Sequence, residues 1–302
     1  MTTTLQTPHT TATTASSVNF QRYYEEAGPD YAAWSPHFNM HFGFFRWGMN
    51  PFRREPMLEQ MNQEIQRRLH LDSTRPARIL DMGCGLGATL RSFARRLPKS
   101  DLNGITLVPW QLEQGRQLNR SCPEARSITL TLGDYEHTSE RPQSFDAVYA
   151  IESSCYAHGA NKSAFLQEAH RLLRPGGSIV VADGFFGPGK LRGPQKLLFR
   201  KLCECWVIDT FGEVDKFASE LQRLGFGEII VENVQSRVTP SVLHVPWVTL
   251  KFLLKDVLFG DRTMTRARWN NILAPMLLPL SVFPSAPWPT TSSVLREPDY
   301  FH

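Results

Sequence analysis

The chain has 302 residues, 41% of them hydrophobic, which suits one large domain with additions and a substantial buried core. Its 33 Lys and Arg against 29 Asp and Glu leave a formal charge of +4 with no polybasic run, so nucleic acid is not expected as a partner. The five cysteines, Cys84, Cys122, Cys155, Cys203 and Cys205, fit neither a disulfide framework nor a zinc site, and reduced thiols in a cytoplasmic protein are expected.

Residues 1–17 are rich in Thr and Ser and contain no Arg or Lys. They lack the features of a signal or transit peptide, and a disordered tail is expected. Residues 18–75 read as a helical lid. Nine aromatics lie between Phe20 and Phe52, and Pro51 is placed to open a helix with the stripe Met57, Leu58, Met61, Ile65 and Leu69. Pro76 marks a break.

Residues 76–235 read as the core. Short apolar strands are expected at Ala77–Met82, Leu102–Leu107, Ser127–Leu132, Phe145–Ile151 and Ser178–Ala182. Helices are expected at Ala88–Leu97, Pro109–Asn119, Ser163–Leu173 and Val214–Leu224, with a further strand at Glu228–Val234. This alternation predicts an α/β fold, a Rossmann-like, doubly wound and mostly parallel sheet, interrupted by an insertion at about 184–212. Residues 236–302 read as a C-terminal apolar cap and tail, with no recognisable closing strand. Val242–Phe259 mixes Leu, Phe and Trp with Lys251 and Lys255, a texture compatible with peripheral membrane contact or with packing on its own domain.

The strongest chemical signal is Ile79-Leu80-Asp81-Met82-Gly83-Cys84-Gly85-Leu86-Gly87. A buried strand runs into an acid and then into glycines at every second position. Glycine adopts positive φ and lets the backbone approach a ligand closely, and the next helix turns its free N–H groups toward the loop. The spacing is not that of dinucleotide binders. Asp81 would repel a phosphate but suits a ligand bearing an amino group. The bland alternative is a tight strand–helix turn.

The second signal is Tyr149-Ala150-Ile151-Glu152-Ser153-Ser154-Cys155-Tyr156-Ala157-His158, after the fourth strand, where a doubly wound sheet presents its crevice. Glu152 is suited to anchor a cofactor, or to act as a general base if burial raises its pKa; a cap on the next turn is the plain alternative. His158 is a weaker candidate base, and Cys155 reads as an apolar filler. No cluster with metal-ligand spacing is evident.

Leu80–Gly87 resembles motif I of the class I S-adenosylmethionine-dependent methyltransferases, and further matches follow in order over about Tyr23–Ala182. They are Leu107-Val108-Pro109-Trp110-Gln111, Gly133-Asp134-Tyr135, Phe145–Ala150 and Leu172–Gly177. The resemblance implies S-adenosylmethionine as cofactor, with S-adenosylhomocysteine as product. It places Asp81, Gly83, Gly85, Gly87, Thr106, Gln111, Asp134, Tyr135, Ile151 and Tyr24 around it. Thr106 departs from the pattern: many members carry an acid there for the ribose hydroxyls, although some tocopherol-type relatives share the Ile-Thr-Leu sequence.

The stretch around Glu152, Tyr23-Tyr24 and Met40-His41-Phe42-Gly43 resemble sterol C-methyltransferases and bacterial prenyl C-methylating enzymes. The resemblance implies a small apolar acceptor, an isoprenoid, terpenoid or sterol-like alkene methylated on carbon through a carbocation. Glu152, His158 and His41 are the candidate catalytic residues, and Mg²⁺ is expected only if the acceptor is a diphosphate. Two other readings stay open at this stage: O- or N-methylation of a quinol, phenol or amine, and a cofactor-binding scaffold without turnover. Oligomeric state is open.

Overall fold

A computed structural model describes residues 11–186, 193–260 and 263–282. Five strands, β1 (Arg78–Met82), β2 (Asp101–Thr106), β3 (Ile128–Leu132), β4 (Phe145–Ile151) and β5 (Leu173–Ala182), form one parallel sheet in the order β3-β2-β1-β4-β5. The register runs Met82 against Ile105 and Asp81 against Tyr149, so β1 lies at the centre. The chain winds outward from β1 through β2 to β3, then crosses to β4 and β5. The switch of direction therefore falls between the ends of β1 and β4, where such sheets hold their ligands.

Strand alternation divides the core between two faces. Ile79, Tyr149 and Val180 pack with α2 (Arg54–Arg68) and α3 (Ala88–Arg96), which supply Met61, Ile65, Leu90 and Phe93. Leu80, Val148, Ile179 and Val181 pack with α5 (Ser163–Leu172) and α7 (Val214–Leu224), which supply Phe165, Leu166, Phe217 and Leu221. Each fully buried side chain of this size contributes roughly 1.5–3 kcal/mol. Between α3 and α5, α4 (Pro109–Arg120) packs beside β3.

The additions close over the carboxyl ends of the strands. At the N-terminus lie α1 (Thr11–Ala27) and a 3-10 turn at Gly28–Ala33. From the other end come α6 (Pro194–Trp206), α8 (Gln235–Val242), α9 (Val245–Phe252) and α10 (Arg266–Val282). Beyond α9 the helix continues with π geometry over Leu253–Leu258. The two ends of the chain meet: the Tyr23 hydroxyl donates to Asn271 Oδ1 at 3.0 Å, and Arg268 Nε donates to the Glu26 carbonyl at 3.1 Å.

Several expectations need correction. The helix α1 begins at Thr11, inside the segment read as a tail over 1–17. Helix formation is cooperative, and a turn anchored by Tyr23, Tyr24 and Ala27 in the core extends backward through weak formers. Pro51 does not open the second helix; Pro51-Phe52 form a turn and α2 starts at Arg54. Glu228–Val234 keeps the burial pattern of a strand, Ile229 packing on one face and Val234 on the other, but forms no ladder. It leaves the sheet edge toward α2, where Glu232 meets Arg68 at 2.7 Å, and the Val234 carbonyl accepts from Arg237 N at the start of α8. The expected insertion contains α6 and a small parallel pair, β6 (Phe185–Phe186) with β7 (Gly212–Glu213). The tail from Ser285 onward lies outside the described residues.

Sequence reasoning gave Lys162 no role, yet it is fully buried with a left-handed backbone. Its ammonium donates to the carbonyls of Cys155 (3.1 Å), Ala157 (2.6 Å) and Thr210 (2.7 Å). Burial lowers its pKa, and nearby acids partly offset this. Three donors meeting three acceptors staple the turn after β4 to the loop after α6. Lys162→Met leaves those carbonyls without a donor and is expected to destabilise the protein by about 3 kcal/mol or more, read as a lower denaturation midpoint.

Candidate active site

Two cavities meet above the switch point. The first, of about 380 Å³, lies over the glycine loop. The second, of about 260 Å³, lies between the lid and the C-terminal helices. Tyr24, Met40, His41, Glu152 and Tyr156 line both, so the boundary between the cavities is aromatic with one carboxyl group.

The glycine loop is built for a ligand. Gly83, Gly85 and Gly87 have φ of 104°, 52° and 74°, all in the left-handed range. A Cβ on Gly83 would come within 2.4 Å of Ser153 Cβ. Ser153 in turn donates its hydroxyl to the Met82 carbonyl at 2.7 Å, tying the end of β1 to the residues after β4. Asp81 is buried beside the loop, and burial raises its pKa to about 7.

Nine of the ten residues expected around the cofactor line this first cavity: Asp81, Gly83, Gly85, Thr106, Gln111, Asp134, Tyr135, Ile151 and Tyr24. Gly87 does not. It precedes α3 with its N–H on the Cys84 carbonyl at 2.8 Å, so its glycine serves the turn. Tyr135 is held by its hydroxyl on the Ser153 carbonyl at 2.8 Å. Thr106 accepts the Val108 N–H at 3.2 Å and donates its hydroxyl to Gln111 Oε1 at 2.6 Å. That fixes the Gln111 amide and leaves its Nε2 as the donor group at the cavity.

Glu152 follows β4 with φ of 48°, an unusual backbone for a non-glycine residue. Strain of this kind clusters at functional sites. Its Oε1 accepts the Phe42 N–H at 2.8 Å, and no other bond to Glu152 carboxyl oxygens occurs among the described residues. Burial raises its pKa to about 8; the Phe42 N–H pulls it down and Asp183 pushes it up. The side chain is half-buried by exposed area because its open part faces the cavities.

His41 is buried at the same boundary, but its ring is occupied. Nδ1 lies 2.9 Å from the Phe42 carbonyl and Nε2 lies 3.1 Å from Asn62 Oδ1. The Asn62 amide is oriented by donation to Asn39 Oδ1 and Glu59 Oε2 and by acceptance from Thr89 Oγ1. Both His41 nitrogens thus face acceptors, and neither turns a lone pair toward the cavity. Burial also lowers its pKa. His41 holds Phe42, whose N–H holds Glu152. His158 stands apart, exposed at the rim of the first cavity with Nδ1 on the buried Glu136, and it does not line the second.

The second cavity is walled by aromatic rings, among them Tyr31, Trp34, Tyr156, Phe199, Trp206 and Phe211. Burial raises the Tyr31 phenol to about 12, so it stays neutral. Among the described lining residues the charged groups are all acidic: Asp30, Glu152 and Asp183. Asp183, missed in the sequence, is committed to structure. It accepts from the Ser154 hydroxyl (2.7 Å), Cys155 N (2.9 Å) and Gly184 N (2.7 Å). Asp30 lies 3.5 Å from Arg268. Among the described residues no group of three or more His, Cys, Asp or Glu side chains converges as a metal site would.

Comparison with known proteins agrees with this geometry. Residues 79–177 match the methyltransferase domain family. The chain is 25% identical over 206 residues to Methyltransferase GfsG of Streptomyces halstedii, across 67% of this chain and 71% of that protein. Over 123 residues it is 32% identical to cycloartenol-C-24-methyltransferase of Arabidopsis thaliana, across 39% of this chain and 36% of that one. In fold it is similar to the cyclopropane synthase MmaA2 from Mycobacterium tuberculosis, with a TM-score of 0.77 at 16% identity, covering 96% of this chain and 99% of that one. Residues 79–177 thus carry a methyltransferase domain, on a Rossmann-like fold of the kind found in S-adenosylmethionine-dependent methyltransferases.

Proposed function

We propose that the enzyme methylates carbon in a neutral, apolar alkene, an isoprenoid, terpenoid or sterol-like molecule. The observation that carries this reading is the second cavity: ring-lined, apolar, with carboxyl groups as its charged lining residues and Glu152 at its join with the first.

When bound, S-adenosylmethionine supplies a methyl group already activated on a sulfonium. The residues of the first cavity hold it. Asp81, as carboxylate, would attract the amino acid ammonium, and the positive φ at Gly83 and Gly85 turns the loop backbone beside the cavity. The Thr106–Gln111 pair takes the place of the acid usual at the end of the second strand, offering Nε2 to the ribose hydroxyls. Asp134, Tyr135 and Ile151 would hold the adenine. Thr106→Val removes the proton that orients Gln111 and is expected to weaken S-adenosylhomocysteine binding by about tenfold, the loss of roughly one hydrogen bond, measurable by calorimetry.

In the second cavity the acceptor double bond would lie at the boundary ring pair, Tyr24 and Tyr156, whose hydroxyls are 3.0 Å apart. Transfer of the methyl group to the double bond, with S-adenosylhomocysteine as leaving group, would place positive charge on the acceptor. Faces of Tyr24, Tyr31 and Tyr156 stabilise such a cation, and exclusion of water protects it. Glu152 then takes a proton from the adjacent carbon, restoring a double bond. His41 and Phe42 position that carboxylate.

Two features favour this over oxygen or nitrogen methylation: neither histidine turns a lone pair into the second cavity, and a resident carboxylate suits a cation. The described lining residues include no Lys or Arg, which favours a neutral acceptor; Mg²⁺ would be needed only if the acceptor were a diphosphate. The test is a competition assay in which labelled methyl is offered to neutral isoprenoid alcohols and sterols together with prenyl diphosphates plus Mg²⁺. Label entering the neutral compounds supports the reading. Preference for the diphosphates, or for phenols and amines added in a second panel, sinks it.

A further inference from the structure

We infer that the outer face of α9 and the neighbouring turn at residues 46–53 form a docking surface for an anionic lipid bilayer, set directly behind the acceptor cavity. The helix has two apolar faces. Val245, Val248, Thr249 and Phe252 line the cavity. Leu243 just before the helix, Trp247 and Leu250 on it and Leu254 in the π turn beyond it, spaced by four, three and four residues, form the opposite stripe, and all four are 44–57% exposed. A helix that packs only on its own domain leaves one face polar.

The stripe continues onto the turn at the start of α2. His244 Nε2 meets the Pro51 carbonyl at 2.7 Å, which fixes that turn beside α9. Its two large side chains point outward: Trp47 is 85% exposed and Phe52 is 87% exposed. Isolated exposed apolar residues are ordinary, but a contiguous set with two Trp marks an interaction site. The charge around it identifies the partner. Lys251 and Lys255 flank the stripe and Arg53 lies on the turn, all exposed. Lys251 Nζ sits 4.9 Å from the centre of the Trp247 ring. Tryptophan with cations beside an apolar face is the composition of a helix lying in a headgroup layer. No helix among the described residues is long and apolar enough to cross a membrane, and the inferred contact is a surface one. The surface stands whatever the acceptor is; a membrane-dissolved acceptor would meet the enzyme within one helix of its cavity.

The test is sedimentation with phosphatidylcholine vesicles, with and without phosphatidylglycerol, in the absence of any acceptor. The wild type is expected to pellet with the anionic vesicles and to be released by salt. The double variant Trp247→Glu, Leu250→Glu is expected to partition about tenfold or more weakly, with unchanged helical content and S-adenosylhomocysteine affinity. Should that variant fold poorly, Lys251→Glu with Lys255→Glu replaces it and is expected to weaken pelleting in the same direction. Failure of the wild type to pellet overturns the inference, as does equal pelleting of well-folded variants. A wild-type dimer that the double variant dissolves would assign the face to a second copy of the chain instead.

Discussion

Glu152→Gln is expected to lower turnover by about 10²- to 10⁴-fold, the usual span for loss of a positioned base. Affinity for S-adenosylhomocysteine should hold. Glutamine keeps an oxygen for the Phe42 N–H, so the boundary stays folded, and the product thioether carries no charge for the carboxylate to attract. Glu152 titrates near 8 because it is buried, so at neutral pH the empty enzyme holds it largely protonated. A sulfonium bound nearby favours the carboxylate and lowers that value. Turnover should therefore rise with pH along a limb centred below about 8, because the base is active only when deprotonated. In Glu152→Gln that limb should vanish. A rising limb that survives would assign the proton acceptor elsewhere, and full turnover would remove Glu152 from the mechanism.

Gly83→Ala is expected to have the larger effect on the cofactor. The backbone there has φ of 104°, and an added methyl would lie 2.4 Å from Ser153 Cβ. Ser153 cannot retreat without releasing its bond to the Met82 carbonyl, which joins β1 to the turn bearing Glu152. Forcing a side chain here costs about 2–3 kcal/mol in backbone strain alone and should lower Tm by about 5 °C. The loop would shift at the place where the ligand approaches, so binding of S-adenosylmethionine should fall by about a hundredfold or more. Gly85→Ala is the control. Its added methyl would meet only Met40 Sδ at 3.4 Å, and its φ of 52° is one that side chains tolerate better. Equal losses in both would mean that any substitution in the loop is damaging and that the Ser153 contact is incidental.

The central sheet was legible in the sequence because its signals are local. Each strand buries alternate residues on two faces, and the glycines, Pro109 and the acid Asp81 mark the ends of elements within a few positions. The helix Val214–Leu224 was placed to the residue for the same reason. Glu228–Val234 misled because burial alternation is shared by a strand and by an extended connection, and the sequence does not reveal a ladder. What stayed hidden depends on partners far along the chain. Lys162 reaches Thr210, Glu136 reaches His158, and Ser153 reaches Met82; none of these pairs is adjacent in any pattern. Asp183 carried a usable signal, an acid at the end of the fifth strand, where the sheet presents its crevice. The role of His41 could not be read at all, since it turns on the amide orientation of Asn62 in α2.

The proximity of the two cavities also explains why the lid and the C-terminal helices are wedded to the core. Tyr24 from α1, Met40 and His41 from the following loop, and Glu152 and Tyr156 after β4 meet at one boundary. Phe199 and Trp206 of α6, with Phe252 of α9, close the far wall. Shape and polarity of the acceptor space thus come from the additions, while the sheet supplies the donor site.

Nuclear magnetic resonance of the product made with carbon-13-labelled S-adenosylmethionine tests the central claim most directly. Carbon methylation predicts a label resonance of a methyl group bonded to carbon, in a neutral alkene whose double bond has been restored. A label resonance of a methyl group bonded to oxygen or nitrogen would contradict it, leaving the fold and the cofactor in place but removing the carbocation and the role assigned to Glu152.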